Sequence, residues 1–197
     1  MKLLYPFAKR FIARPDLKTA LPAIRRVKES GYFSSIDVLG ESVATRPQAE
    51  AAKYEYLKLF ESLDSINHSF DFSVKLPQLG LDIDKEFCTE NLGQLAQAMG
   101  NHTIRLDMED STRTQSTLEI CEEVHRTYPH LGQAIQAYLF RPENDVRHCI
   151  ENRISIRLCK GAYKEPLDVA LQAMDKIRAN FFKLACQLLA VCNHSSV

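Results

Sequence analysis

Arg153-Ile-Ser-Ile-Arg-Leu-Cys-Lys-Gly-Ala-Tyr163 reads as a buried β-strand that runs out into two cations and a glycine turn. Ile154, Ile156 and Leu158 supply the β-rich run, and Arg157 and Lys160 stand at its carboxyl end. Gly161 and Ala162 let a ligand come close to the backbone, and Tyr163 offers an aromatic wall. Helical composition follows over residues 165–190. Strand, charged tip, small residues and helix is how an α/β protein builds a site for an anionic or planar group. Taken alone, an ordinary strand-to-helix turn with solvated Arg157 and Lys160 explains the segment slightly better.

Moving outward, the same order of features recurs. Residues 35–39, 70–76, 103–108 and 133–139 are strand candidates, and each precedes a segment of helical composition. The helices are expected over residues 47–66, 84–99, 113–128 and, as a short piece, 143–151. Strands alternating with helices at this period imply βαβ units and a parallel sheet. Two architectures fit: an open doubly wound sheet, or a (β/α)8 barrel, which needs about eight strands and roughly 250 residues. The length of 197 residues favours the open sheet. The polar residues favour the barrel, because Glu41, Lys75, Asp107, Gln136 and Arg157 each stand near a strand's carboxyl end. A barrel brings every such end to one pocket, whereas an open sheet uses only its switch point. The expectation is therefore a partial TIM-like barrel of about five βα units, residues 35–197, preceded by an N-terminal helical segment, residues 1–34.

The balance of 25 basic and 25 acidic residues gives no electrostatic case for nucleic acid. No apolar run approaches the length of a membrane span. The six cysteines, Cys88, Cys121, Cys149, Cys159, Cys186 and Cys192, form no close pairs and read as reduced, mostly buried thiols. The histidines lack ligand spacing, so no metal is expected. Asn67-His-Ser, Asn101-His-Thr and Asn193-His-Ser read as chance glycosylation matches. Met1 to Pro15 carries Lys2, Lys9, Arg10 and Arg14 without an acid, and reads as an amphipathic helix on the body rather than a presequence.

The segments Asp37-Val-Leu-Gly-Glu41, Ser73-Val-Lys-Leu-Pro-Gln-Leu-Gly80, Arg105-Leu-Asp-Met-Glu-Asp-Ser111, Ala134-Ile-Gln-Ala-Tyr-Leu139 and Arg157-Leu-Cys-Lys-Gly-Ala-Tyr163 resemble, in order, those of the proline dehydrogenases. That family comprises flavin-dependent enzymes on a modified (β/α)8 barrel, and the monofunctional bacterial form is the nearest in kind. The resemblance implies FAD as cofactor and oxidation of L-proline to 1-pyrroline-5-carboxylate in proline catabolism. It implies that Arg157 faces the flavin N5 region, that Asp107, Met108, Ala134, Gln136, Lys160, Gly161 and Ala162 contact the cofactor, and that Lys75 pairs with the proline carboxylate. Leu158 and Tyr163 would wall the substrate ring, and Glu41 would be the acidic half of an ion-pair gate. Arg157 and Lys75 would carry the catalysis. Electrons would pass to a quinone-type acceptor, and the protein would be cytoplasmic, peripheral to the inner membrane. The family's later strands, its Thr-His pair and its Arg-rich final helix find no counterpart after about Ala190. The chain therefore reads as truncated at its C-terminus, with an incomplete substrate clamp. The alternative is a catalytically silent flavin-binding or structural α/β domain.

Overall fold

The computed structural model describes residues 17–191 apart from 41, 65 and 67. The expectations for Met1 to Pro15, Glu41, Cys192, Asn67, Asn193 and the tail beyond Val191 lie outside the described residues. Helix α1 (Leu17–Glu29) leads into five βα units. These are β1 (Ser35–Asp37) with α2 (Arg46–Asp64), β2 (Asp71–Val74) with α3 (Lys85–Ala98), and β3 (Thr103–Leu106) with α4 (Thr114–His125). The last two are β4 (Leu131–Gln136) with α5 (Pro142–Glu151), and β5 (Ser155–Cys159) with α6 (Met174–Val191).

All strand pairs are parallel, and the spatial order is β1-β2-β3-β4-β5. That order decides between the two architectures. A doubly wound sheet must reverse its strand order to place helices on both faces. A sheet that never reverses, with crossovers of one hand, carries all its helices on one side. The other face is left for the interior of a barrel.

Side-chain alternation separates these faces. Ile36, Phe72, Ile104 and Leu131 lie abreast in register, as do Val74, Leu106, Gln133 and Ile156. Except for Ile36, which is only partly buried, these residues are fully or almost fully buried. The apolar ones join one core with Tyr56, Phe60, Leu92, Leu95, Ile120 and Leu184 from the helices. The opposite face carries Asp37, Ser73, Arg105, Gly132 and Ser155 abreast, with Ala134 beside Arg157 one layer further on. Polar residues there are the reason the strands do not read as continuous apolar runs.

That second face is strongly concave. Arg157 Nη2 on β5 donates to Ser35 Oγ on β1 at 3.0 Å. In a flat sheet, four strand spacings of about 4.8 Å would hold those strands about 19 Å apart, beyond the reach of any side chain. The sheet must therefore curl as a barrel wall does, and the fold is a partial (β/α) barrel.

Most expected boundaries differ by one to three residues, and two of the differences have a structural cause. The helix expected from residue 165 starts at Met174, because the intervening backbone is committed elsewhere. Leu139 and Ala170 form an antiparallel bridge, Phe140 N donates to Val169 O, and Leu171 N donates to Tyr138 O. With Leu139, Ala170 and Ile177, Tyr138 forms a small second core under this segment. The strand expected over 133–139 is shifted towards its amino end, at Leu131–Gln136: Ala137 and Tyr138 form a turn whose N–H groups still reach Cys159 and Lys160, and Leu139 joins the bridge to Ala170.

Candidate active site

Period-two alternation in Asp71-Phe-Ser-Val-Lys75 places Asp71, Ser73 and Lys75 on the concave face, and the same rule places Arg105 and Asp107 beside them. Their side chains form one ion network. Arg157 Nη1 donates to Ser73 Oγ at 2.8 Å and to Asp107 Oδ1 at 3.3 Å, and its Nη2 donates to Asp71 Oδ2 at 2.6 Å. Lys75 Nζ donates to both oxygens of Asp37, at 2.8 and 2.9 Å, and to Asp107 Oδ2 at 3.0 Å. Asp107 thus links the two cations. Deeper along the strands, Arg105 bonds Asp71 at 3.4 Å and Ser155 Oγ at 3.3 Å.

The charges tune one another. Burial alone would raise the Asp71 carboxyl, but Arg105, Thr103 and Arg157 together hold it below the ordinary carboxylate range. Burial would lower the Lys75 ammonium, and the hydrogen bonds and charges of Asp37 and Asp107 outweigh it and raise the lysine. Three carboxylates, Asp37, Asp71 and Asp107, face three cations, Lys75, Arg105 and Arg157, so the formal charges of the cluster balance.

Lys75 also lines a cavity of about 290 Å³ with Gly40, Ser42, Pro77, Gln78, Glu109 and Tyr163. Gln78 closes its side wall: it is buried, its Nε2 donates to Val38 O at 3.4 Å and its Oε1 accepts from Tyr56 Oη at 3.2 Å. A side chain on Gly40 would strike that amide, with a Cβ only 2.8 Å from Nε2.

Of the residues singled out from sequence, Lys75, Asp107 and Arg157 are brought together, and Ala134 lies beside Arg157 on the same face. Tyr163 reaches the cavity from the β5 side, its phenol hydrogen-bonded to Glu109, and Lys160 projects into solvent with no ion pair among the described residues. Gln136 is buried, but both ends of its amide are used in the fold: Nε2 donates to Glu109 O at 2.8 Å and Oε1 accepts from Ala162 N at 3.4 Å. It ties two loops together rather than lining the cavity.

Other expectations need correction. Leu158 is not a wall of the concave site; it is paired with Ile135 on the helix-facing side and only 4% exposed. Adjacent strand residues point to opposite faces, so the inward Arg157 sends Leu158 outward. The Met108 side chain is likewise buried in the main core. Gly161 has a reason besides ligand approach: its φ is +114°, and an added Cβ would lie 2.2 Å from the Tyr138 ring. Sequence reasoning passed over Asp71, Ser73, Ser35 and Glu109. Counting back by twos from Lys75 would have found Asp71 and Ser73, whereas Glu109 sits in a loop with no period to read.

Of the five described cysteines, Cys186 alone is exposed. Cys88, Cys121 and Cys149 are buried free thiols, and burial pushes Cys88 and Cys149 up to about 12. Cys159 is partly buried, with Sγ 3.4 Å from Ile135 O, and burial raises it too. Among the described residues no group of His, Cys, Asp and Glu is arranged to hold a metal.

A family model described as proline dehydrogenase matches residues 20–172. Proline dehydrogenase 2 of Bacillus subtilis (strain 168) is 32% identical over 179 residues, covering 90% of this chain and 59% of that protein. Proline dehydrogenase of Deinococcus radiodurans is 29% identical over 204 residues, covering 98% of this chain and 65% of that protein. Proline utilization A (PutA) from Bdellovibrio bacteriovorus superposes with a TM-score of 0.82 at 22% identity, over 96% of this chain and 25% of the other, which establishes the shared fold. The chain thus spans about 59% of the length of the Bacillus protein. Since the family model covers most of its residues and the matched sequence is the one that builds the concave face, the chain belongs to the proline dehydrogenase family.

Proposed function

We propose that this chain carries the flavin- and substrate-facing wall of an L-proline oxidation site, using FAD to form 1-pyrroline-5-carboxylate in proline catabolism. The observation that carries the reading is that Arg157, from β5, reaches Ser35, Asp71, Ser73 and Asp107 on the first three strands, next to the cavity lined by Lys75 and Tyr163. Strand ends from across the sheet thus serve one volume.

The residues present suit a flavin. Arg157 uses its two terminal nitrogens on partners of the network, and its Nε–H has no partner among the described residues. A fixed guanidinium with a free donor is suited to the electron-rich edge of a planar ring. Lys160 is an exposed cation at the same end of β5, available to the anionic part of a dinucleotide. Ala134 and Ala162 add little bulk beside them. When bound, FAD would supply the hydride acceptor.

The chain's own part is binding and electrostatics. Lys75 would take the proline carboxylate, exchanging its bonds to Asp37 for the substrate's charge, while Asp107 keeps it aimed. Tyr163 would cover the pyrrolidine ring. Its phenol, raised above its ordinary value by partial desolvation and by Glu109, is a hydrogen-bond donor to that carboxylate. Electrons would leave to a quinone-type acceptor at the surface of the inner membrane, with the protein on the cytoplasmic side. Among the described residues no helix is long and apolar enough to cross a membrane.

A second reading, flavin binding without turnover, is favoured by the state of Lys75, which is already held by two carboxylates. Purified chain loaded with FAD and mixed anaerobically with L-proline separates the two. Loss of the oxidised-flavin absorbance supports oxidation. A yellow protein that does not bleach supports the binder, and a chain that takes up no flavin defeats both.

A further inference from the structure

We propose that Glu165 is a positioning residue: its carboxylate, gripped by Ser111, clamps the segment after β5 onto the loop after β3 and so sets Tyr163 over the cavity that Lys75 lines. The proposal rests on the proline-oxidation reading for what Tyr163 covers, and on geometry alone for the clamp.

Among the described residues β5 has a neighbour on one side only, so the segment that leaves it, residues 160–173, has no strand beyond β5 to lean on. Its first residues are guided by β4: Tyr138 N donates to Lys160 O at 2.9 Å, and Ala162 N reaches Gln136 Oε1. Between Ala162 and the Leu139–Ala170 bridge that guidance lapses, and the chain crosses over β4 to the loop after β3. There Glu165 accepts from Ser111 N on one oxygen and from Ser111 Oγ on the other, both at 2.6 Å. Two oxygens on two donors of one residue fix orientation as well as distance.

The contacts form a two-rung ladder of side chains. Tyr163 meets Glu109, and Glu165 meets Ser111, so positions two apart on one loop face positions two apart on the other. Gln136 lies beneath the rungs and bonds the backbone of both loops, at Glu109 O and Ala162 N. Gln172 Nε2 donates to Glu165 O at 3.1 Å and closes the far side. The rungs are unequal. Tyr163 is 41% exposed and its single phenol bond is open to water, whereas Glu165 and Ser111 are both half-buried and doubly bonded. The stronger rung, two residues beyond Tyr163, holds the weaker one in place. Gly161, at φ +114° against Tyr138, provides the bend that lets the segment turn towards Ser111.

The chain contains no tryptophan, so Tyr163→Trp creates a single tryptophan reporter, excited selectively over the tyrosines, at the covering position. Under native conditions the acrylamide quenching constant should rise when Glu165→Gln or Ser111→Ala is added to Tyr163→Trp. Adding both should raise it further than either alone, because Ser111→Ala leaves the Ser111 N–H and Glu165→Gln leaves an acceptor for it. Unchanged quenching in the double variant overturns the clamp. In FAD-loaded chain with Tyr163 intact, Glu165→Gln should raise KM for L-proline about tenfold, the loss of one ordinary charge-assisted contact, with a smaller change in kcat. Looser quenching with an unaltered KM overturns the positioning role. A chain that oxidises no proline defeats the oxidation reading instead, and the quenching result then decides the clamp by itself.

Discussion

Asp71 is the shared anion of Arg105 and Arg157, at 3.4 and 2.6 Å, and the change Asp71→Asn tests what that sharing contributes. The amide keeps the shape and removes the charge, so unfolding in urea should show a loss of about 1–2 kcal/mol, discounted for partial exposure. The sign of its pH dependence follows from a folded-state carboxyl held below its ordinary 3.8. Such a group stabilises the fold above that ordinary value and loses its contribution as pH falls through the lowered one. The gap between wild type and Asp71→Asn should therefore be constant near neutrality and close in acid, below about pH 4. A gap that persisted at the acid end would mean that the carboxylate's charge is not what counts. Gly161→Ala addresses backbone instead. At φ +114°, with its new methyl 2.2 Å from the Tyr138 ring, the variant should lose about 2–3 kcal/mol. A melting temperature equal to wild type would show that the turn is more pliable than these contacts imply.

Strands differ in how much holds them. β4 has six residues, all buried, between β3 and β5, whereas β1 has three, lies at an edge and is largely exposed. Amide hydrogen exchange should accordingly be slowest in β4 and fastest in β1, and equal protection in the two would contradict the edge assignment. The same elements show what the sequence disclosed. Alternation in Asp71-Phe-Ser-Val-Lys75 and Ser155-Ile-Arg-Leu-Cys159 carries both the strands and their faces, since every second residue is apolar, yet the sequence reading drew only the strands from it. The contrast between Arg157 and Leu158 lay in that alternation too, but resemblance drew both to one site, and parity forbids it. The start of α6 was hidden because residues 166–171 have helical composition while a non-local bridge from Leu139 claims their backbone. Glu165 was hidden for the same reason: its partner Ser111 is 54 residues away, in a loop that no period marks.

Strand order supplied what length could not, for a sheet running β1 to β5 without reversal has one face for helices and one for ligands. Its two edge strands have no outer neighbour among the described residues, and large apolar side chains lie exposed at both ends of the chain's path, Phe33 at 88% and Phe182 at 70%. Open edges with exposed aromatics favour association. Sedimentation velocity should show concentration-dependent self-association that Phe182→Glu reduces, and a monomer at all concentrations would show that these surfaces are harmless. We propose the concave face as a flavin site organised by Arg157. Titration of FAD into the chain, followed by the change in flavin fluorescence, tests it most directly. Saturable binding that Arg157→Met weakens by about tenfold or more is the expected result, in keeping with loss of a charge-assisted contact; equal affinity in the two proteins, or no binding to either, would contradict it.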